Sequence, residues 1–225
     1  MSKIAVIVGM AALLGCSSAG SLLTGPLLSE SYSFEWSSGG MGGVAPTTYP
    51  NVANLLETEF PALALYREDV THDYVVDFFT DLAGSEEIAL PILYHADRNN
   101  LPITLVFSLV WVESRFDPYA LNSNPGSVDR GLFQLNSKSF RQLTLDDFFA
   151  PDINARYGTG HLRYCLDLGE DVETALAIYN AGYSRVRVGI IPATTQVYIE
   201  RIFEYKAKLD REFRQYIATE FPVTA

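Results

Sequence analysis

Four short stretches hold the side chains that could do chemistry: ESRFDP at 113–118, GLFQLN at 131–136, AIYNAG at 177–182 and IPATTQVYIERI at 191–202. The first raises the sharpest question. Ile103 to Val112 is almost wholly apolar, and the run ends on one carboxylate, Glu113. An acid at the end of a dry helix is costly to ionise, so its pKa should rise. A carboxyl that keeps its proton near neutral pH is what a general acid requires. The competing reading is a structural carboxylate at the edge of the core, salt-bridged to Arg115 or Arg130.

The other stretches offer neighbours. Gly131 lets backbone approach a ligand closely. Gln134 can donate and accept, which suits an amide-bearing sugar. Tyr179 and Asn180 present a ring and an amide just before Gly182. Taken alone, that tyrosine reads more readily as core and that asparagine as a helix-end cap. Asp129, two residues before Gly131, reads either as a second carboxylate or as an Asx-type turn holding the loop, paired with Arg130 or Arg115. His72, His95 and His161 lack metal-ligand spacing and read as surface or core histidines, so no metal or cofactor is expected. Cys165 sits in apolar periodicity (HLRYCLDL) and reads as a buried, inert thiol.

The order and spacing of these stretches resemble the lysozyme-like family of soluble lytic transglycosylases. Its members carry an E-S-x-F-x-P helix end, a G-L-M/F-Q turn and an A-Y-N-A-G segment, and the likeness runs over residues 100–205. The resemblance implies a helical lysozyme-like fold and an enzyme of peptidoglycan glycan strands. Such an enzyme cuts between N-acetylmuramic acid and N-acetylglucosamine and leaves a 1,6-anhydro ring. By position, Glu113 matches the single catalytic acid/base, and Ser114 the serine that hydrogen-bonds around the site. Gln134 matches the glutamine facing the muramyl sugar. Tyr179 and Asn180 match the cleft tyrosine and asparagine. Tyr198 matches the aromatic of a final helix similar to P-x-E-T-x-x-Y-V. Phe133 would line the cleft floor, where many members have Met.

Two departures qualify the match. Thr194 stands where many members have Glu. Asp129 in GSVDRGLFQLN is similar to the G-S-x-D-x-G segment of c-type lysozymes and some specialised transglycosylases. In those lysozymes the aspartate is the second carboxylate and water completes the reaction. Three functions therefore compete: a transglycosylase, a muramidase using Asp129 with water, and a non-catalytic glycan-binding module.

The elements that must position these residues read as all-α. Val52, Leu55, Leu56 and Phe60 recur at helical spacing, as do Tyr74, Val75, Phe78, Phe79 and Leu82, closed by Gly84. Ser85 with Glu86 and Glu87 opens the next helix. Residues 117–131 read as loop with at most a small ribbon. A short helix is expected near Ser137–Leu143, and longer ones over about 152–168, 170–180 and 194–218. Segment 51–100 is too apolar in pattern to be a linker. It should form an acidic helical layer packed on a lysozyme-like domain at 101–225, for support or for partner docking.

The N-terminus reads differently. Lys3, the apolar run Ile4–Leu14 and the sequence LLGC at 13–16 resemble a lipoprotein signal over 1–15, with Cys16 as the acylated residue. Residues 16–50, rich in Gly, Ser, Pro and Thr, read as a flexible tether, although Tyr32, Phe34 and Trp36 would also suit a partly ordered arm. The expected location is the cell envelope, lipid-anchored and facing the periplasm. No run of eighteen apolar residues suggests a spanning helix.

Composition sets the bounds. The 225-residue chain is 48% hydrophobic and 19% charged, which suits one domain with a real core. Its net charge is −11, and residues 17–99 hold twelve acids against two bases. With no basic patch to neutralise phosphates, nucleic acid is excluded as a partner.

Overall fold

A computed structural model describes residues 50–222. The expected signal, Cys16 and the tether lie outside the described residues. The described chain is helical with one small sheet. Helices α1 (Pro50–Leu56), α2 (Pro61–Tyr66), α3 (Asp69–Ala83), α4 (Glu86–Arg98) and α5 (Ile103–Ser114) lead into strands β1 (Leu121–Asn124), β2 (Ser127–Arg130) and β3 (Leu135–Asn136). Then follow α6 (Leu145–Phe149), α7 (Pro151–Leu168), α8 (Val172–Ala181), α9 (Tyr183–Val186) and α10 (Ala193–Glu220). The architecture is all-α and lysozyme-like, as expected.

Helix α5 is the axis. Ten of its twelve residues are buried, because it is apolar all round and neighbours cover every face. It packs on α4 and α10, and α4 in turn packs on α7. Aromatic contacts tie the N-terminal helices to this axis. Phe79 of α3 lies 4.3 Å from Phe107 of α5, and Phe78 lies 5.2 Å from Phe213 of α10. Segment 51–100 thus shares one continuous core with the rest. Its acids stay outside: α3 carries Asp69, Asp73, Asp77 and Asp81 at four-residue spacing, along one stripe. The Asp77 carboxyl is held above its ordinary value, first by partial burial and then by Asp73, Asp81 and Glu86.

The helix ends follow local chemistry. Ser85 accepts from Glu87 N–H at the start of α4, and Gly84 closes α3 at φ 77°. Asp171 accepts from Thr174 N–H and starts α8. Pro61 divides the first helical stretch into α1 and α2.

The helix expected at Ser137–Leu143 is absent, and those residues form successive turns after β3. The helix begins instead at Leu145. There the Thr144 hydroxyl accepts from Asp147 N–H, while the Asp147 carboxylate accepts from Thr144 N–H. That reciprocal cap fixes the start eight residues later than apolar spacing suggested.

The ribbon is antiparallel throughout, in the order β1-β2-β3. Asp129 pairs with Asn122 on one side and Asn136 on the other. The expected small ribbon is therefore present, with a third short strand.

Candidate active site

Glu113 lies on the last turn of α5, 4% exposed. The chain leaves it through two consecutive non-glycine residues in the left-handed region, Arg115 at φ 54° and Phe116 at φ 62°. Such a pair is strained and persists only where packing holds it. Aromatics supply that packing here. Phe116 is buried, the Arg115 guanidinium sits 5.0 Å over the Trp111 ring, and Trp111 stacks on Tyr205 at 4.9 Å. Arg115 is thus committed to Trp111, and Glu113 forms no salt bridge with it or with Arg130 among the described residues.

Tyr198 of α10 is the partner Glu113 has. Its hydroxyl donates to Glu113 Oε1 at 2.7 Å, while Oε2 is buried without a partner among the described residues. Burial pushes the Glu113 pKa up from 4.5 to about 8; the Tyr198 hydrogen bond opposes the rise, and the negative charge of Asp129 adds to it. Tyr198 itself is held well above its ordinary value, mainly by burial and then by Glu113, so it stays a donor. With Oε1 occupied as an acceptor, the proton of the neutral acid belongs on Oε2. A carboxyl so placed keeps its proton at neutral pH.

Asp129 lies in β2 and not in a turn, which corrects that reading. It is 1% exposed, and no ion pair among the described residues holds it. Instead three asparagine amides donate to it: Asn136 at 2.7 Å to Oδ1, Asn124 at 2.6 Å and Asn122 at 3.4 Å to Oδ2. Burial raises its pKa, the amides and Arg130 lower it, and the net shift is upward. The strand pairing explains the cage, since alternate residues of β1 and the facing residue of β3 share one side.

The remaining expected residues fall into two groups. Asn180 is buried at the end of α8 and accepts from Thr195 Oγ1 at 2.7 Å, so it bridges to α10 and caps nothing. Tyr179 is half-buried, donates to the Phe133 carbonyl at 2.9 Å and packs against His161 at 4.9 Å. Gln134 takes a left-handed φ of 47°, and its amide donates to the carbonyls of Gly131 at 2.9 Å and Ala120 at 3.1 Å. These three tie α8, α10 and the ribbon together.

Two expectations need correction. Phe133 does not line a cleft floor: it is fully buried, and its ring occupies the space above Gly158, where an added Cβ would lie 2.1 Å from it. Ser114 does not reach around the site, because its hydroxyl donates back to the Val110 carbonyl at 3.1 Å within α5. Gly131 does permit close approach, but to the protein itself. Its φ is 75°, and a Cβ would meet the Phe148 carbonyl at 2.3 Å and Asn154 Nδ2 at 2.4 Å.

Asn154 is the residue that sequence reasoning missed. Fully buried in α7, it accepts from Phe133 N–H at 2.8 Å and donates to the carbonyls of Phe148 and Arg130. It anchors the GLFQ turn to the helical body. Thr195 and the asparagines around Asp129 were also missed. Their signal was polar residues recurring at positions that the flanking pattern makes internal.

Neither histidine nor cysteine forms a metal cluster among the described residues. Burial lowers the His161 pKa to about 4 and raises the Cys165 thiol to about 12. His95 pairs with Asp152 at 2.9 Å, and His72 packs on Tyr66.

Residues 91–195 match the family model described as Transglycosylase SLT domain. The match covers Glu113, Asp129, Gln134, Tyr179 and Asn180, begins inside α4 and stops just before Tyr198. A curated relative, membrane-bound lytic murein transglycosylase F of Desulfosudis oleivorans, is 34% identical over 99 residues. That alignment covers 41% of this chain, which spans only 21% of the relative's length. No solved structure gives a significant match. Outside the matched residues, the N-terminal part of α4, helices α1–α3 and most of α10 contribute to the same core.

Proposed function

We propose that the chain is a peptidoglycan lytic transglycosylase that cleaves the bond between N-acetylmuramic acid and N-acetylglucosamine and leaves 1,6-anhydromuramic ends. The observation that carries this reading is the neutral, Tyr198-held Glu113 within an SLT domain. Glu113 gives its Oε2 proton to the glycosidic oxygen as the anomeric C–O bond breaks. The substrate's own 2-acetamido group carries the developing positive charge, as in substrate-assisted glycosidases. The Glu113 carboxylate then takes the proton of the muramyl 6-hydroxyl, and that oxygen closes on the anomeric carbon. The proton returns to Glu113, no water is consumed, and one carboxyl serves both steps. Tyr198 steadies the carboxylate between them, while Gln134, Tyr179 and Asn180 brace α8, α10 and the ribbon.

A second reading, a muramidase, is favoured by one observation. Three amides hold the Asp129 carboxylate, and its charge adds to the rise of the Glu113 pKa. In that role it would stabilise the cation while water attacks. A glycan-binding module is the third reading, and the retention of a buried acid that destabilises its own ionised form argues against it.

In the proposed organisation, residues 1–15 are a lipoprotein signal, Cys16 carries the lipid, 16–50 are a tether and 51–100 support the catalytic domain at 101–225. The enzyme then works in the envelope, on the periplasmic side. No helix among the described residues is long and apolar enough to cross a membrane. The test is mass spectrometry of purified peptidoglycan digested by the protein and by Glu113→Gln. Anhydromuramyl products absent from the variant digest support the proposal. Reducing ends favour the muramidase, and products from both proteins would overturn the role of Glu113.

A further inference from the structure

On the far side of the ribbon from Asp129 lies a pocket of about 330 Å³, lined by Arg130, Ser137, Arg141, Leu143, Leu145 and Phe148. Its size sits at the small end of ligand pockets, roughly 300–1,000 Å³. Strand alternation builds it. Asp129 points into its asparagine cage, so the next residue, Arg130, projects to the opposite face and lays its guanidinium 5.3 Å over the Phe148 ring.

Three features mark the pocket as more than a surface dimple. First, Arg130 Nε is buried and has no hydrogen-bond partner among the described residues. Buried donors are seldom left so, because each unsatisfied one costs about 1–3 kcal/mol. Second, neither Arg130 nor Arg141 takes part in an ion pair among the described residues, whereas Arg67, Arg163, Lys206, Lys208 and Arg214 all do. Acids outnumber bases 27 to 16 in this chain, so two guanidinium groups in a pocket whose lining holds no carboxylate run against its composition, Asp129 acting on Arg130 from outside that lining. Third, the walls are mixed. Leu143, Leu145 and Phe148 are apolar, and Ser137, whose Oγ accepts from Val128 N–H at 3.0 Å, keeps its own proton to donate.

We propose that this pocket binds the carboxylate of a short peptide. If the chain acts on peptidoglycan as proposed above, that peptide is the stem hanging from the glycan strand. A planar guanidinium matches a carboxylate bidentately, and an apolar wall beside it suits an aliphatic amino-acid side chain better than a bare inorganic anion. Three extended residues span about 10 Å, which is of the order of the width of a three-stranded ribbon whose strands lie about 4.8 Å apart. The pocket would then favour strands that still bear peptides over bare glycan.

The test is calorimetric titration of the protein with a synthetic stem tripeptide, the same peptide with its carboxylates amidated, and inorganic phosphate. The free acid should bind saturably, and the amidated peptide at least about tenfold more weakly. Phosphate should bind more weakly than the free acid. Arg130→Gln with Arg141→Gln should abolish binding while the thermal transition persists. If that double variant fails to fold, Arg141→Gln alone should weaken binding about tenfold. Equal binding of acid and amide, binding unchanged in the variants, or no binding to the native chain would overturn the proposal. Phosphate binding as tight as the peptide would instead mark a plain anion site and also overturn it. Cleavage of peptide-free glycan by Arg141→Gln, expected at the native rate, separates the two ideas. Peptide binding without any glycan cleavage refutes the transglycosylase and keeps the pocket, and cleavage without peptide binding does the reverse.

Discussion

Replacing Glu113 with Gln should change how stability depends on pH in a way that few other substitutions can. The native carboxyl has its pKa raised from 4.5 to about 8, chiefly by burial. Between those values the folded state keeps a proton that the unfolded chain releases. Stability of the native protein relative to the variant is therefore fully present below pH 4.5 and lost as pH rises. The slope is about 1.4 kcal/mol per pH unit, which sums to about 5 kcal/mol at most by pH 8. Water entry and local relaxation reduce such penalties, so a measured change of about 2–5 kcal/mol is expected. The glutamine keeps the acceptor for Tyr198 and leaves an unpaired amide where Oε2 was, a cost of about 1–3 kcal/mol that does not vary with pH. Urea denaturation of both proteins from pH 4 to pH 9 isolates the effect, because groups common to both cancel in the difference. The two curves should converge or cross as pH rises and run parallel above pH 9. Parallel curves across the whole range would refute the claim that Glu113 is a buried neutral acid.

Other expectations follow from the same geometry. Tyr198→Phe removes the one hydrogen bond to Glu113, so the basic limb of kcat/KM, set near pH 8 by the native acid, should move upward and the maximum should fall by about 10–100-fold. Asp129→Asn removes a charge that raises the Glu113 pKa, so the same limb should move to lower pH. Persistent anhydro products in that variant would keep Asp129 out of the chemistry. Gly158→Ala would drive a methyl group into the Phe133 ring and should destabilise by about 1–3 kcal/mol or more in thermal melts. Thr195→Val frees Asn180 Oδ1 and should lower kcat/KM while leaving the fold intact by circular dichroism.

Much of the site was legible because its signals are local. One acid closing an apolar helix announces a perturbed carboxyl, and the structure finds Glu113 in that state. The long helices were legible from 3.6-residue periodicity and from caps such as Ser85 and Gly84. What escaped was set by distant contacts. Tyr198 and Glu113 are 85 residues apart, so only resemblance brought them together before the fold did. Phe133 looked like a cleft residue, yet its burial depends on Gly158 in another helix. The helix expected at 137–143 starts at Leu145 instead, set by the T-L-D-D cap at 144–147, a signal that was present in the sequence. The asparagine cage of Asp129 was also present, as Asn122 and Asn124 at strand spacing. It needed the ribbon register to acquire meaning.

The central claim is that Glu113 acts alone and that the sugar's own hydroxyl, not water, completes the reaction. The most direct measurement is digestion of purified peptidoglycan in heavy-oxygen water, followed by mass analysis of the new muramyl ends. The account predicts products with no label from the native protein and no products from Glu113→Gln. Heavy oxygen at the new ends would contradict it and make Asp129 the partner of a water-consuming reaction.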